Sequence, residues 1–180
     1  MTIRKIVVGP IYKANCYIVR DPISNSCVII DPGDEPEKIL DFIKEYELKP
    51  EAIIITHSHP DHVGALEAIK KFTTCDVVNL TEGEIIKLGD IELKAIETRG
   101  HTSDSFCIVC EQEKIIFTGD TLFRHSIGRT DLPGGDKEQM EKSLRRLMEL
   151  PDDYKIYPGH GPETTIGEER TNNPFLKPEY

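Results

Sequence analysis

The chain has 180 residues, 38% of them hydrophobic and 30% charged, enough for one well-filled core and short for two domains. Its 32 acidic side chains against 22 basic ones give a formal net charge of −10, which repels phosphate backbones and argues against nucleic acid as a general partner. No apolar stretch approaches the roughly 20 residues that a bilayer span needs, so no membrane association is expected.

The chain opens on MTIRKIVVGP, a strand-like segment without a small-residue cleavage site, which predicts no signal peptide. Ile3 to Val8, Asn15 to Arg20 and Ser26 to Ile30 read as short strands separated by Gly-Pro, Asp-Pro and Ser-Asn turn signals. A helix follows with Pro36 in its first turn and Ile39, Leu40, Ile43 and Tyr46 on one face. Ala52 to Ile55 has the near-continuous apolar character of a buried strand. After a histidine-rich turn, Leu66, Ile69 and Phe72 recur at helical spacing. Strands are expected over Asp76 to Leu80, Ile85 to Leu88, Ile91 to Glu97, Phe106 to Glu111 and Lys114 to Phe117. A long loop spans Asp120 to Asp136, and long structured loops in compact domains are usually functional. A helix over about Lys137 to Leu150 and a strand from Tyr154 to Tyr157 come last, with residues 161 to 180 read as a loop and tail wrapping the core.

The five cysteines are odd in number and sit in apolar surroundings, which predicts buried free thiols and a reducing, cytoplasmic setting. Cys107 and Cys110 spell CxxC, but in a strand residues three apart face opposite sides, and no helix start follows to acidify a thiol.

Five of the six histidines share one context: a short polar segment with a small or turn-forming neighbour, close behind an apolar strand. THSHPDH carries His57, His59, Asp61 and His62 directly after Ala52 to Ile55. Gly100-His101, Gly119-Asp120 and Gly159-His160 repeat the pattern at other strand ends, whereas His125 does not. Residues two apart in an extended segment point the same way, so His57 and His59 can face one metal. Pro60 holds the preceding residues extended, and the chain can then turn before Asp61 and His62 face a neighbouring position.

THSHPDH, RGHT, FTGDTLF and YPGHG resemble, in order, the metal motifs of the metallo-β-lactamase superfamily, and FTGDTLFRHSIGRTD is similar to the glyoxalase II group of S-acylglutathione hydrolases. The likeness runs from about Ile3 to His160, and the ending HGPETTIGEERTNNPFL is similar to small glyoxalase-like members. It implies an α/β fold, an αββα sandwich of two mixed sheets flanked by helices, as a single domain over residues 1–180. It implies two divalent metals, zinc by default with iron or manganese also suited to these donors. His57, His59 and His101 would hold the first, Asp61, His62 and His160 the second, and Asp120 would bridge them, with Asp61 and Asp120 as the catalytic carboxylates. The implied reaction is thioester hydrolysis of the hydroxyacylglutathione type by a metal-bridging hydroxide.

On the substrate side the resemblance places Arg129, whose guanidinium suits a glutathione carboxylate or else pairs with Asp131, and Tyr157, which lines the pocket or packs in the core. Full-length glyoxalase II carries a helical domain after its last metal histidine, whereas only 20 residues follow His160, leaving the thiol carrier open. Two other activities stay in view. One is the mononuclear-iron persulfide dioxygenases, which share the fold and a similar GRTD stretch, and the other is hydrolysis of another small ester or lactone. A β-lactamase role fits less well, because several of those enzymes have a cysteine where Asp120 stands.

Overall fold

The computed structural model describes residues 1–177. Strands β1 (Thr2–Val8), β2 (Ala14–Arg20), β3 (Ser26–Ile30) and β4 (Lys49–Ile54) form one mixed sheet in that order, with β3 and β4 parallel. The second sheet takes β5 (Ile85–Leu88), β6 (Ile91–Glu97), β7 (Phe106–Cys110), β8 (Ile115–Gly119), β11 (Lys155–Pro158) and β12 (Thr164–Thr165). Within it β11 runs parallel to β8, and its other pairings are antiparallel.

Tyr17, Val28 and Ile54 of the first sheet pack on Leu93, Ile108 and Phe117 of the second to make the inner core. The opposite face of the first sheet buries Ile39 and Ile43 of α1 (Pro36–Glu45) and Ile69 of α3 (Leu66–Thr73). The opposite face of the second buries Met140, Leu144 and Leu147 of α4 (Lys137–Leu147). Apolar residues alternate between these layers along each strand: Cys107 joins the helix side and Cys110 the inner core, as the strand period requires. All five cysteines are free and buried, and burial pushes the Cys107 thiol up to about 12. No helix among the described residues is long and apolar enough to cross a membrane.

The structure departs from expectation in four places. Asp76 to Leu80 is not a strand: Val77 makes one parallel bridge to Ile53. Just beyond Ile53 the chain leaves the sheet at Ile54, so little edge remains to pair with. Tyr46 and Phe72 are largely exposed at their helix ends, Tyr46 against the ring of Phe42 and Phe72 beneath Lys44. The 120–136 loop contains a hairpin of β9 (Leu122–Phe123) and β10 (Ser126–Ile127).

The fourth departure is residues 161–177, which form regular elements where loop and tail are expected. They carry β12, α5 (Ile166–Asn172) and a 3-10 turn over Pro174–Leu176, while residues 178–180 of the expected tail lie outside the described residues. The anchor is Glu169, fully buried, which accepts from Thr164 Oγ1 at 2.5 Å, His125 N at 2.7 Å and Asn173 Nδ2 at 2.8 Å. Glu169→Ala strands these donors and should lower the unfolding free energy by about 3 kcal/mol in urea titration. A loss below about 0.5 kcal/mol would show that the anchor is dispensable.

Candidate metal centre

Strand direction gathers the polar residues. β6 and β8 are both antiparallel to β7, and β11 is parallel to β8, so all three end at one edge of the second sheet and deliver His101, Asp120 and His160 there. The parallel pair β3 and β4 deliver Asp31 and His57 from the first sheet. The two edges are tied by main-chain bonds, Asn15 N to Gly159 O at 2.7 Å and Phe106 N to Thr56 O at 2.8 Å. His59 stays extended before Pro60, which opens the short helix α2 (Pro60–Val63) and swings Asp61 and His62 to the next position. Two glycines allow the closeness. A Cβ at Gly159 would collide with Asp120 Oδ1, and one at Gly33 with the Asp61 carbonyl.

The seven expected residues meet in three overlapping groups: His57, His59 and His101; His57, His62 and Asp120; Asp61, His62 and His160. Ligand atoms within each group lie within 4.8 Å of one another. Asp120 sits between the two outer groups, with Oδ1 3.3 Å from His62 Nε2 and Oδ2 3.6 Å from His101 Nε2, 3.4 Å from His160 Nε2 and 4.0 Å from His57 Nε2.

Four of the five imidazoles are oriented from behind. His101 Nδ1 lies 2.8 Å from Arg129 O and His160 Nδ1 3.0 Å from Tyr12 O. A carbonyl only accepts, so both Nδ1 atoms donate and each Nε2 turns a lone pair inward. His62 Nδ1 donates to Asp31 Oδ2 at 3.0 Å with the same result, and His57 Nδ1 lies 3.1 Å from Thr56 Oγ1. His59 is reversed, with Nδ1 only 2.9 Å from His101 Nε2. His62 Nε2 and His160 Nε2 likewise stand 3.3 Å apart, lone pair toward lone pair.

This donor set fits divalent cations. Facing lone pairs need a positive centre between them, and His57 Nε2 and Asp120 Oδ1 are buried with no hydrogen-bond partner. Burial, helped by neighbouring His62, pushes His57 down to about 4 and keeps it neutral. Burial also works against charge on His62, but Asp120 and Asp31 overcome it and carry that imidazole up to about 10, so without a cation a proton takes up its inward Nε2 lone pair. For Asp120 burial favours the neutral acid, yet His160 and His62 hold the carboxyl well below the usual range. The centre stabilises positive charge at its middle. Nitrogen and oxygen donors of this kind suit zinc, iron or manganese.

The two substrate-side expectations fare differently. Tyr157 takes the second of its two expected roles and packs in the core. It is 9% exposed, edge-on to Tyr17 at 5.6 Å and beside Phe117 at 5.3 Å, because the alternation of β11 turns it to the inner core and Ile156 to the helix side. Arg129 is exposed and grips Asp131 with both arms of its guanidinium, at 2.8 and 2.7 Å, holding that carboxyl down at about 2. It is the Arg129 carbonyl that touches the centre. His125 stands apart, paired with Glu168 at 2.7 Å.

Asp31 is the functional side chain that sequence reading missed. Only 2% exposed, it accepts from Thr56 N at 2.7 Å and Thr56 Oγ1 at 2.6 Å besides His62. A signal was present, since Val28-Ile29-Ile30-Asp31-Pro32-Gly33 repeats the pattern of an apolar strand, a polar residue and a glycine.

The family model of the metallo-β-lactamase superfamily matches residues 10–78 and 76–160. The chain belongs to this superfamily. Among curated relatives, hydroxyacylglutathione hydrolase GloC of Haemophilus influenzae is 34% identical over 92% of this chain and 93% of its own. Three solved structures share the metallo-β-lactamase fold closely. BLEG-1 B3 metallo-β-lactamase is 30% identical with a TM-score of 0.91, covering 98% of this chain and 100% of its own. ETHE1 from Myxococcus xanthus is 29% identical with a TM-score of 0.90, over 98% and 84%. TTHA1623, solved in a di-iron-bound form, is 33% identical with a TM-score of 0.87, over 96% and 100%.

Asp31→Ala removes the acceptor behind His62. Metal affinity should fall about 10- to 100-fold in chelator competition with secondary structure unchanged. An unaltered affinity would show that His62 keeps its orientation without Asp31.

Proposed function

We propose that the protein hydrolyses a small-molecule thioester of the hydroxyacylglutathione type, with His57, His59 and His101 holding one divalent cation, Asp61, His62 and His160 a second, and Asp120 shared between them. The observation that carries this reading is the convergence of seven inward-facing donors in overlapping groups no wider than 4.8 Å. The similarity to GloC, which bears the name hydroxyacylglutathione hydrolase, supports the substrate class. Divalent cations held at such a centre acidify a water molecule and polarise an acyl oxygen.

The chain's own groups supply the rest. The Asp120 carboxylate lies among four imidazoles and keeps negative charge at the middle of the cluster. Asp61, with Oδ2 3.3 Å from His160 Nε2 and a side chain 25% exposed, is the more open carboxylate, and its other oxygen accepts the proton that attack releases. A thiolate leaves without a separate acid, since a free thiol has a pKa of about 8.5. Arg129 exchanges Asp131 for a substrate carboxylate. Both side chains of that ion pair are exposed and screened by solvent, so the exchange costs little. Zinc is the resident metal in this reading, with iron the main competitor.

The test is turnover of a thioester panel by protein of measured metal content, run beside persulfide-dependent oxygen uptake. About two metals per chain with thioester turnover is the expected result. One iron per chain with robust oxygen uptake would replace hydrolysis by persulfide oxidation, using the His57, His59 and His101 group alone. Asp120→Ala should abolish turnover and weaken metal binding by more than about 100-fold; near-normal activity would remove Asp120 from its central role.

A further inference from the structure

A groove of about 1120 Å³ lies between α4, residues 127–130 and the 3-10 turn over Pro174–Leu176, and none of the seven donors lines it. Residues 127–130 stand between this groove and the candidate metal centre. The Arg129 carbonyl faces His101, and a Cβ at Gly128 would collide with the Asp120 carbonyl.

One face of α4 runs the length of the groove. Lys137, Met140, Leu144 and Met148 recur along it at helical spacing, a run of about 16 Å at about 1.5 Å per residue. The half-buried Ile127 and Leu176 and the exposed ring of Phe175 complete an apolar lining. Volume and lining together are those of a small-molecule site rather than of scattered surface apolar residues. The charge is equally uneven. The chain carries 32 acidic side chains against 22 basic ones, yet Arg129, Lys137, Arg145, Arg170 and Lys177 surround this groove, with Glu141 the single carboxylate among the described residues that line it. The arginines already have partners: Arg129 holds Asp131, Arg145 holds Glu141 at 3.3 Å, and Arg170 donates to Met148 O at 2.7 Å and Leu150 O at 2.8 Å. Lys137 is exposed and has no ion-pair partner among the described residues.

We propose that this groove is a binding site for an amphiphilic carboxylate of medium chain length, with its alkyl chain along Met140, Leu144 and Met148 and its carboxylate at Lys137. A cationic rim over an apolar floor complements a molecule with one anionic end and an apolar body, and it repels a cationic amphiphile of the same length. The helix face is as long as an extended alkyl chain of about 12 carbons. The site is separate from the hydrolase reading and does not depend on it.

The test is calorimetric titration of the metal-loaded protein with dodecanoate, hexanoate and dodecyltrimethylammonium. Wild type should bind one dodecanoate per chain, at least about tenfold more tightly than either control, because only dodecanoate matches both the length and the charge of the groove. Lys137→Glu and Phe175→Glu, both at exposed positions, should each weaken dodecanoate at least about tenfold with an unchanged thermal unfolding midpoint. Asp120→Ala should bind dodecanoate as wild type does; loss there would place the carboxylate at the metal centre and overturn the proposal. Equal binding of all three ligands, no saturable dodecanoate binding below about 1 mM, or undiminished binding in Lys137→Glu and Phe175→Glu would also overturn it. Sedimentation of the same proteins tests the other occupant. A wild-type dimer that Phe175→Glu dissociates would put a second copy in the groove and overturn the proposal, whereas monomers throughout leave the groove open to the carboxylate.

Discussion

Everything in this molecule is arranged around one carboxylate among imidazoles. Asp120 stands 3.3 to 4.0 Å from His57, His62, His101 and His160 in a setting largely closed to water. Charge and lone pairs gathered this tightly repel unless a positive centre sits among them, so the cluster is at once the strongest constraint on the fold and the source of its chemistry. The approach is feasible because the chain bears no side chain where the loops meet, at Gly159 against Asp120 and at Gly33 against Asp61. It is precise because five strands from two sheets end at the same place.

The histidines are oriented in two ways, by main-chain carbonyls and by a buried side chain. His101 and His160 lean on the main-chain carbonyls of Arg129 and Tyr12, while the side chains of those residues point to solvent. A carbonyl is present whatever the residue, so the side chains at these positions can vary without loosening a ligand. His62 is the exception. Its acceptor is a buried side chain, Asp31, and substitution there acts directly on the ligand.

Legibility from the sequence followed the range of the interaction concerned. Strands β2, β3 and β6 were readable because their apolar residues face a packed layer on at least one side. The Asp76 to Leu80 segment has the same local character but found only one partner residue, Ile53, on an edge about to end. Residues 161–177 look polar and loop-like in isolation. They are held by Glu169, whose partners include His125, 44 residues earlier in the chain.

The sequence by itself determined the donor set and hence the kind of chemistry. Histidine and aspartate beside glycine or proline at successive strand ends have a local, steric meaning that needs no tertiary contact to read. Only the tertiary structure decided what each remaining polar or aromatic group does. It buried Tyr157 between the sheets and brought Asp31 behind His62. The reason is physical: burial and choice of partner depend on which distant segments arrive alongside, and nothing in a residue's own neighbourhood encodes that.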